Sequence, residues 1–74
     1  RWRPMYKADL IKKLEEIPAS EPLFLLRGRD PLAPGVVGSW CDDAAFVSVN
    51  PEKIAEARCV AGAMADYEPQ KLPD

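Results

Sequence analysis

The residues best suited to chemistry in this 74-residue chain form a short charged turn, Arg27-Gly28-Arg29-Asp30. Two guanidinium groups near the start of a helix suit an anion, because arginine forks and unpaired backbone N–H groups both attract negative charge. Gly28 permits a sharp turn between the charged residues. We therefore predict a ligand-binding site at Arg27, Gly28, Arg29 and Asp30. The alternative is structural: Arg27 pairs with an acid of the third helix, such as Glu56, and braces the fold.

Catalytic chemistry has little support. The chain contains no histidine, which excludes Ser–His and Cys–His arrangements. Neither a phosphate loop nor a dinucleotide fingerprint is present, so no cofactor is expected. Cys41 and Cys59 lack the close spacing of a metal or redox motif and are typical of small apolar residues in a reducing compartment. We expect a non-enzymatic protein without a metal site.

The N-terminal residues 1–6 are predicted to form an arm. Pro4 biases Arg3 toward an extended backbone. Arg1, Trp2 and Arg3 could together contact a phosphate group. The alternative is an arm packed on the helices with its arginines in water.

Three helices must position these residues. Leu10, Leu14 and Ile17 recur at helical spacing, which predicts a first helix over residues 7–17, stopped by Pro18. Asp30 as cap and Pro31 as first helical residue predict a second helix that begins between residues 31 and 35 and ends near residue 45. Asn50 followed by Pro51 predicts a third helix from residue 51 to about 67.

Two short apolar runs are harder to assign. Residues 23–26 and 46–49 could pair as two strands, but we favour an extended segment or an irregular turn for the first run. Residues 68–74 are expected to fray. The predicted fold is therefore mainly α: one domain over residues 1–74, with three helices, an extended arm and an extended or short β-like connector. The predicted core comprises Leu10, Leu14, Ile17, Phe24, Leu26, Val37, Trp40, Ile54, Ala57, Ala61 and Met64.

Size and charge favour self-association. A chain this short buries only about 60% of its unfolded surface. Residues 1–13 carry a net charge of +4 and residues 42–74 a net charge of −4, which suits head-to-tail matching. We predict a homo-oligomer, most simply a dimer with closed symmetry.

Nucleic acid is a poor partner for a third helix that is acidic. No stretch reaches the roughly 18 apolar residues of a membrane span, and we predict a cytoplasmic protein.

The stretch from Glu21 to Trp40, together with the one from Asn50 to Met64, carries a resemblance. The strings E-P-L-F-L-L-R-G-R-D-P-L-A-P and P-E-K-I-A-E-A resemble a group of small phage and prophage proteins that have no assigned activity. That group has a short alanine-rich turn ending in glycine where this chain has residues 46–49. The resemblance implies an accessory binding protein of counter-defence that sequesters a small anionic or nucleotide-type ligand. The alternative it leaves open is a protein-interaction module that occludes a host protein surface.

Overall fold

The computed structural model describes residues 6–73, and three helices account for most of them. Helix α1 spans Lys7–Glu16, α2 spans Ala33–Phe46 and α3 spans Pro51–Asp66. Elsewhere in residues 6–73 the chain forms turns, bends and segments without regular secondary structure, with no strand. The prediction of a small, mainly α domain is confirmed. Arg1, Trp2 and Arg3, the predicted arm contacts, lie outside the described residues.

The start of α3 follows from its sequence signal. The Asn50 side-chain oxygen accepts the Glu52 N–H at 2.9 Å, and Pro51 occupies the first helical position. The proline loses nothing there, because the first N–H groups of a helix have no partner within it. α1 likewise ends before Pro18, whose ring cannot continue the helical ladder.

The end of α2 is a Schellman motif, so residues 46–49 do not form a strand. The Ser48 N–H donates to Ala45 O at 3.2 Å and the Val49 N–H to Ala44 O at 2.9 Å, which satisfies the last carbonyls of the helix. Ser48 has a φ of 64°, the left-handed conformation that glycine usually provides. The helix runs one residue past its predicted end and then turns directly into α3.

The helices α2 and α3 pack together as a hairpin around a small core. Among the described residues, the buried apolar side chains are Ala33, Cys41 and Ala44, all on α2. The facing side of α3 contributes half-buried residues, namely Ile54, Ala57, Ala61 and Met64. The Cys41 Sγ lies 3.9 Å from Ile54 O. Small side chains at the contact let the two helices lie close together, but they bury little apolar surface.

Three members of the predicted core are exposed instead: Leu14, Phe24 at 87% exposure and Trp40 at 44%. The prediction assumed that all three helices pack together. In the structure, no Cα atom of α1 lies within 8 Å of one in α2 or α3. The apolar side of α1 therefore does not cover α2, and Trp40 remains 44% exposed.

Two segments outside the helices differ in their contacts with the rest of the chain. Residues 22–27 form no helix, strand or turn, and they leave Phe24 and Leu25 exposed. The C-terminal residues, expected to fray, return to the turn before α2 and hydrogen-bond to it. No helix within residues 6–73 combines the length and apolar character needed to cross a membrane.

Candidate functional site

The charged turn before α2 is a β-turn closed by its own backbone. The Asp30 N–H donates to Arg27 O at 3.0 Å, which places Gly28 and Arg29 at the two central positions. Asp30 is only 8% exposed. Its Oδ1 accepts the Leu32 N–H at 2.9 Å, and its carbonyl accepts the Ala33 N–H at 3.0 Å. The carboxylate thus fixes the approach of the chain to α2.

This arrangement corrects the predicted position of the cap. α2 begins at Ala33, and its formal N-cap is Leu32, which makes no side-chain capping bond. Asp30 instead accepts the N–H groups of Leu32 and Ala33, one short turn earlier, and Pro31 lies in that turn rather than at the first helical position. A second proline, Pro34, occupies the first turn of the helix. Asp30 and Pro31 therefore do indicate that a helix follows, but they lie in the turn that precedes α2 and not at its first positions.

Gly28 lets the turn lie close to α3 and does not adopt an unusual backbone conformation. The structure records no glycine with positive φ among the described residues. A Cβ built on Gly28 would meet Met64 Cγ at 3.8 Å and Met64 Cα at 4.0 Å. Both distances are ordinary van der Waals contacts, so the turn lies directly against α3. The sharp turn predicted at Gly28 is present, and it forms without a positive φ at this residue.

The C-terminal segment adds a third cation to the turn. The Lys71 N–H donates to Arg29 O at 2.7 Å. One residue earlier, the Gln70 Nε2 group donates to Tyr67 O at 2.6 Å and to Met64 O at 3.3 Å, and reaches Gly28 O at 3.5 Å. Gln70 therefore satisfies carbonyls at the end of α3 while holding the segment against the turn.

Sequence reasoning missed both Gln70 and Lys71. Pro69 signals only that α3 has ended, and nothing in the local pattern indicates where the chain then goes. The contact joins residues 42 positions apart, and such pairings depend on how the helices pack. A spacing-based search could not have found them.

These elements enclose a hollow of about 210 Å³, lined by Leu25, Arg27, Arg29, Asp30, Lys71 and Pro73. Three cations and one carboxylate surround it, so the lining carries a net charge of +2. Of the predicted site, the structure brings Arg27, Arg29 and Asp30 to the hollow, while Gly28 lies behind it against Met64. The volume is below the roughly 300–1,000 Å³ of pockets that enclose a whole small molecule. It suits one phosphate or carboxylate group with the rest of the ligand outside.

The structural alternative for Arg27 does not occur as predicted. Glu56, its expected partner, pairs with Lys53 Nζ at 2.9 Å. The described ion pair between α2 and α3 is a different one, Arg58 with Asp42 at 3.2 Å, and it is exposed. The Arg27 side chain is exposed and forms no ion pair with any residue from 6 to 73. It therefore retains its capacity for an added anion.

A second hollow, of about 460 Å³, lies at the loop between α2 and α3 and has a mainly apolar lining: Ala45, Ser48, Val49, Pro51 and Ile54. Next to it, Phe46 is 90% exposed and Val47 is also exposed. No charged side chain lines this hollow, so it offers apolar contact rather than recognition of an anion.

The described residues assemble no group of three or more cysteine or acidic side chains that could hold a metal ion. The two cysteines are unpaired, with Cys41 buried and Cys59 half-buried. Searches against protein-family models, curated proteins and solved structures find no significant match for this chain. The site must therefore be interpreted from its own geometry.

Proposed function

We propose that this protein is a non-enzymatic binding protein that captures a small anionic ligand at the hollow formed by Arg27, Arg29 and Lys71. The convergence of these three cations on one concavity carries the proposal. Side chains splayed over a flat face would instead suit contact with a protein. The Asp30 carboxylate accepts a hydrogen bond from a backbone N–H. This bond reduces its repulsion of an anion in the hollow.

The ligand class follows from charge and volume. A net charge of +2 around the hollow suits a phosphate group, which accepts several charge-assisted hydrogen bonds at once. The limited volume leaves a base or sugar outside, against the exposed apolar surface of Leu25. A nucleotide-type ligand combines these two features. The resemblance to phage and prophage proteins supports a role in counter-defence, in which the protein sequesters a nucleotide signal in the cytoplasm of a host cell.

Isothermal titration calorimetry provides the test. The panel comprises inorganic phosphate, a nucleoside monophosphate, a cyclic mononucleotide and a cyclic dinucleotide. We expect at least one phosphorylated compound to bind, and Arg29→Gln to weaken that binding by about 1.5–3 kcal/mol, the value of a charged hydrogen bond. Arg58→Gln is the matched control, because Arg58 is an exposed arginine that pairs with Asp42 outside the hollow. Equal losses in both variants would indicate only a general effect of charge.

Protein docking is the second candidate function, and one observation favours it. Phe24 and Phe46 project almost entirely into solvent, and exposed aromatic side chains often anchor protein interfaces. In this role the protein occludes the surface of a host protein. Phe24→Ser and Phe46→Ser should then abolish capture of a defined host protein, while Arg29→Gln leaves it intact. The ligand-binding function predicts the reverse pattern.

Self-association is part of the same proposal. The described apolar core consists of three small side chains, which is little to stabilise a domain of this size. A dimer of identical chains adds apolar contact without needing a second gene product. Sedimentation velocity at tens of micromolar should give twice the chain mass of 8.2 kDa, and a monomer would contradict this part of the proposal.

A further inference from the structure

Two apolar stripes on this chain lack a helical partner. The stripe on α1 consists of Leu10 and Leu14, and Ile17 follows it just after the end of the helix; Leu14 is 54% exposed, and the other two residues are half-buried. The stripe on α2 consists of Val36 and Trp40, preceded by the N-cap residue Leu32, and Val36 is 52% exposed. Residues at these spacings form one line along a helix. Each stripe therefore presents a continuous apolar edge.

The α2 stripe lies beside the buried face of its own helix. Leu32 and Trp40 immediately precede the buried Ala33 and Cys41, and successive residues of a helix are about 100° apart. A helix seated on this stripe would therefore lie alongside α3 and extend the same core. The two stripes also match in length: at about 1.5 Å per residue they span roughly 10 and 12 Å.

The chain as folded leaves an unusually large surface. It exposes 6016 Å², whereas a compact protein of 8.2 kDa exposes about 4,500 Å². The excess of about 1,500 Å² exceeds the roughly 800 Å² that each partner buries in an interface of standard size. The radius of gyration, 13.0 Å, is likewise above the roughly 11 Å of a compact chain of this length.

We propose that α1 of one chain packs on the α2 stripe of a second chain, and that the second chain's α1 packs reciprocally on the first. The inference rests on the proposed dimer and is independent of ligand binding. A second copy suits the stripe in area, as shown above.

The connection between the helices is long enough for this exchange. Residues 17–32 contain no helix or strand, and at about 3.3 Å per residue they can span roughly 50 Å. Reciprocal exchange about a two-fold axis is a closed arrangement, so assembly stops at two chains. Each half of the dimer would then contain the three packed helices that the sequence pattern predicts, with one of them supplied by the partner.

A charge-pair experiment tests the exchange. The variants Leu14→Lys and Val36→Glu each place a charge in the contact, and both sites are more than half exposed in the single chain, so its fold does not depend on them. We expect each variant alone to raise the dissociation constant of the dimer at least tenfold, measured by light scattering across a dilution series. An equimolar mixture of the two should restore the dimer, because the mixed pair has one unaltered contact and one Lys–Glu contact.

The controls and outcomes separate this inference from simple dimer formation. Glu15→Lys and Ser39→Glu change exposed polar positions on the same helices and should leave the dissociation constant within about twofold. Circular dichroism confirms that every variant retains its helices.

A wild-type monomer at all concentrations would overturn both the dimer and the exchange. A wild-type dimer whose two variants do not recover on mixing would overturn the exchange alone. A Leu14→Lys, Val36→Glu double variant that becomes a more stable monomer would show α1 packing within its own chain and would also overturn it.

Discussion

The Lys71 N–H donates to the Arg29 carbonyl at 2.7 Å, and this bond joins the C-terminal segment to the charged turn before α2. Residues far apart in the chain thereby form one edge of the cationic hollow. The bond involves backbone atoms on both sides, so it fixes the path of the segment, and both residues line the hollow. Formation of the candidate site thus depends on the segment that follows α3.

Gln70 holds that segment in place, and Gln70→Ala should release it. The variant loses the side-chain bonds to Met64 O and Tyr67 O, whose net contribution is about 1 kcal/mol of unfolding free energy. Amide hydrogen exchange at Lys71 should accelerate more than exchange within α2, because only the segment opens. Glu68→Ala is the control at an exposed neighbouring position. Unchanged exchange at Lys71 in the Gln70 variant would show that the segment is held by other contacts.

Ser48→Gly should stabilise the fold, contrary to the usual effect of adding a glycine. Ser48 has a φ of 64° at the end of α2, and a side chain in this conformation costs about 1–2 kcal/mol. After allowing for the greater freedom of glycine in the unfolded chain, we expect a gain of about 0.5–1 kcal/mol in denaturant unfolding. Ser39→Gly, within α2, should lower stability by a similar amount. A loss in both variants would contradict the left-handed assignment of Ser48.

The predictable parts of this fold are those that depend on neighbouring residues. Asn50 followed by Pro51 identified the start of α3, and Pro18 identified the end of α1, because caps and prolines act within one turn. The exposure of Trp40 was not predictable in this way. Its spacing indicates a face of α2, and only the position of α1 decides whether that face is covered.

The candidate site likewise contains residues that could be predicted from their neighbours in sequence and one residue that could not. Arg27, Arg29 and Asp30 were identified because they are adjacent in sequence and precede a helix. Lys71 was missed because its approach to Arg29 depends on the packing of α3 and on the return of the chain after Pro69. The second helix was placed correctly to within one residue at its end, but the left-handed conformation of Ser48 was not predicted, because glycine normally occupies that position.

Asp30 should have separable effects on stability and on anion binding. Asp30→Ala removes the oxygen that accepts the Leu32 N–H, and we expect a loss of about 0.5–2 kcal/mol in unfolding free energy. Asp30→Asn keeps an oxygen acceptor and removes the negative charge beside the hollow. It should tighten binding of a phosphorylated ligand by about 1 kcal/mol, the order of a unit-charge interaction at 4 Å in water. Weaker binding in Asp30→Asn, measured by calorimetry, would show that the carboxylate contacts a donor on the ligand.

Arg27→Ala distinguishes a binding role for this arginine from a structural one. Its expected structural partner, Glu56, is paired with Lys53 at 2.9 Å, so removal of the guanidinium strands no acid. We therefore expect the melting temperature without ligand to change by no more than about 4 °C, the range of a surface substitution. Binding of a phosphorylated ligand should fall by about 1.5–3 kcal/mol, because a charged hydrogen bond is lost. Thermal melts with and without ligand measure both effects, and Arg58→Ala is the matched control. A strong loss of stability with unchanged ligand affinity would assign Arg27 to the fold and leave protein docking as the better account of function.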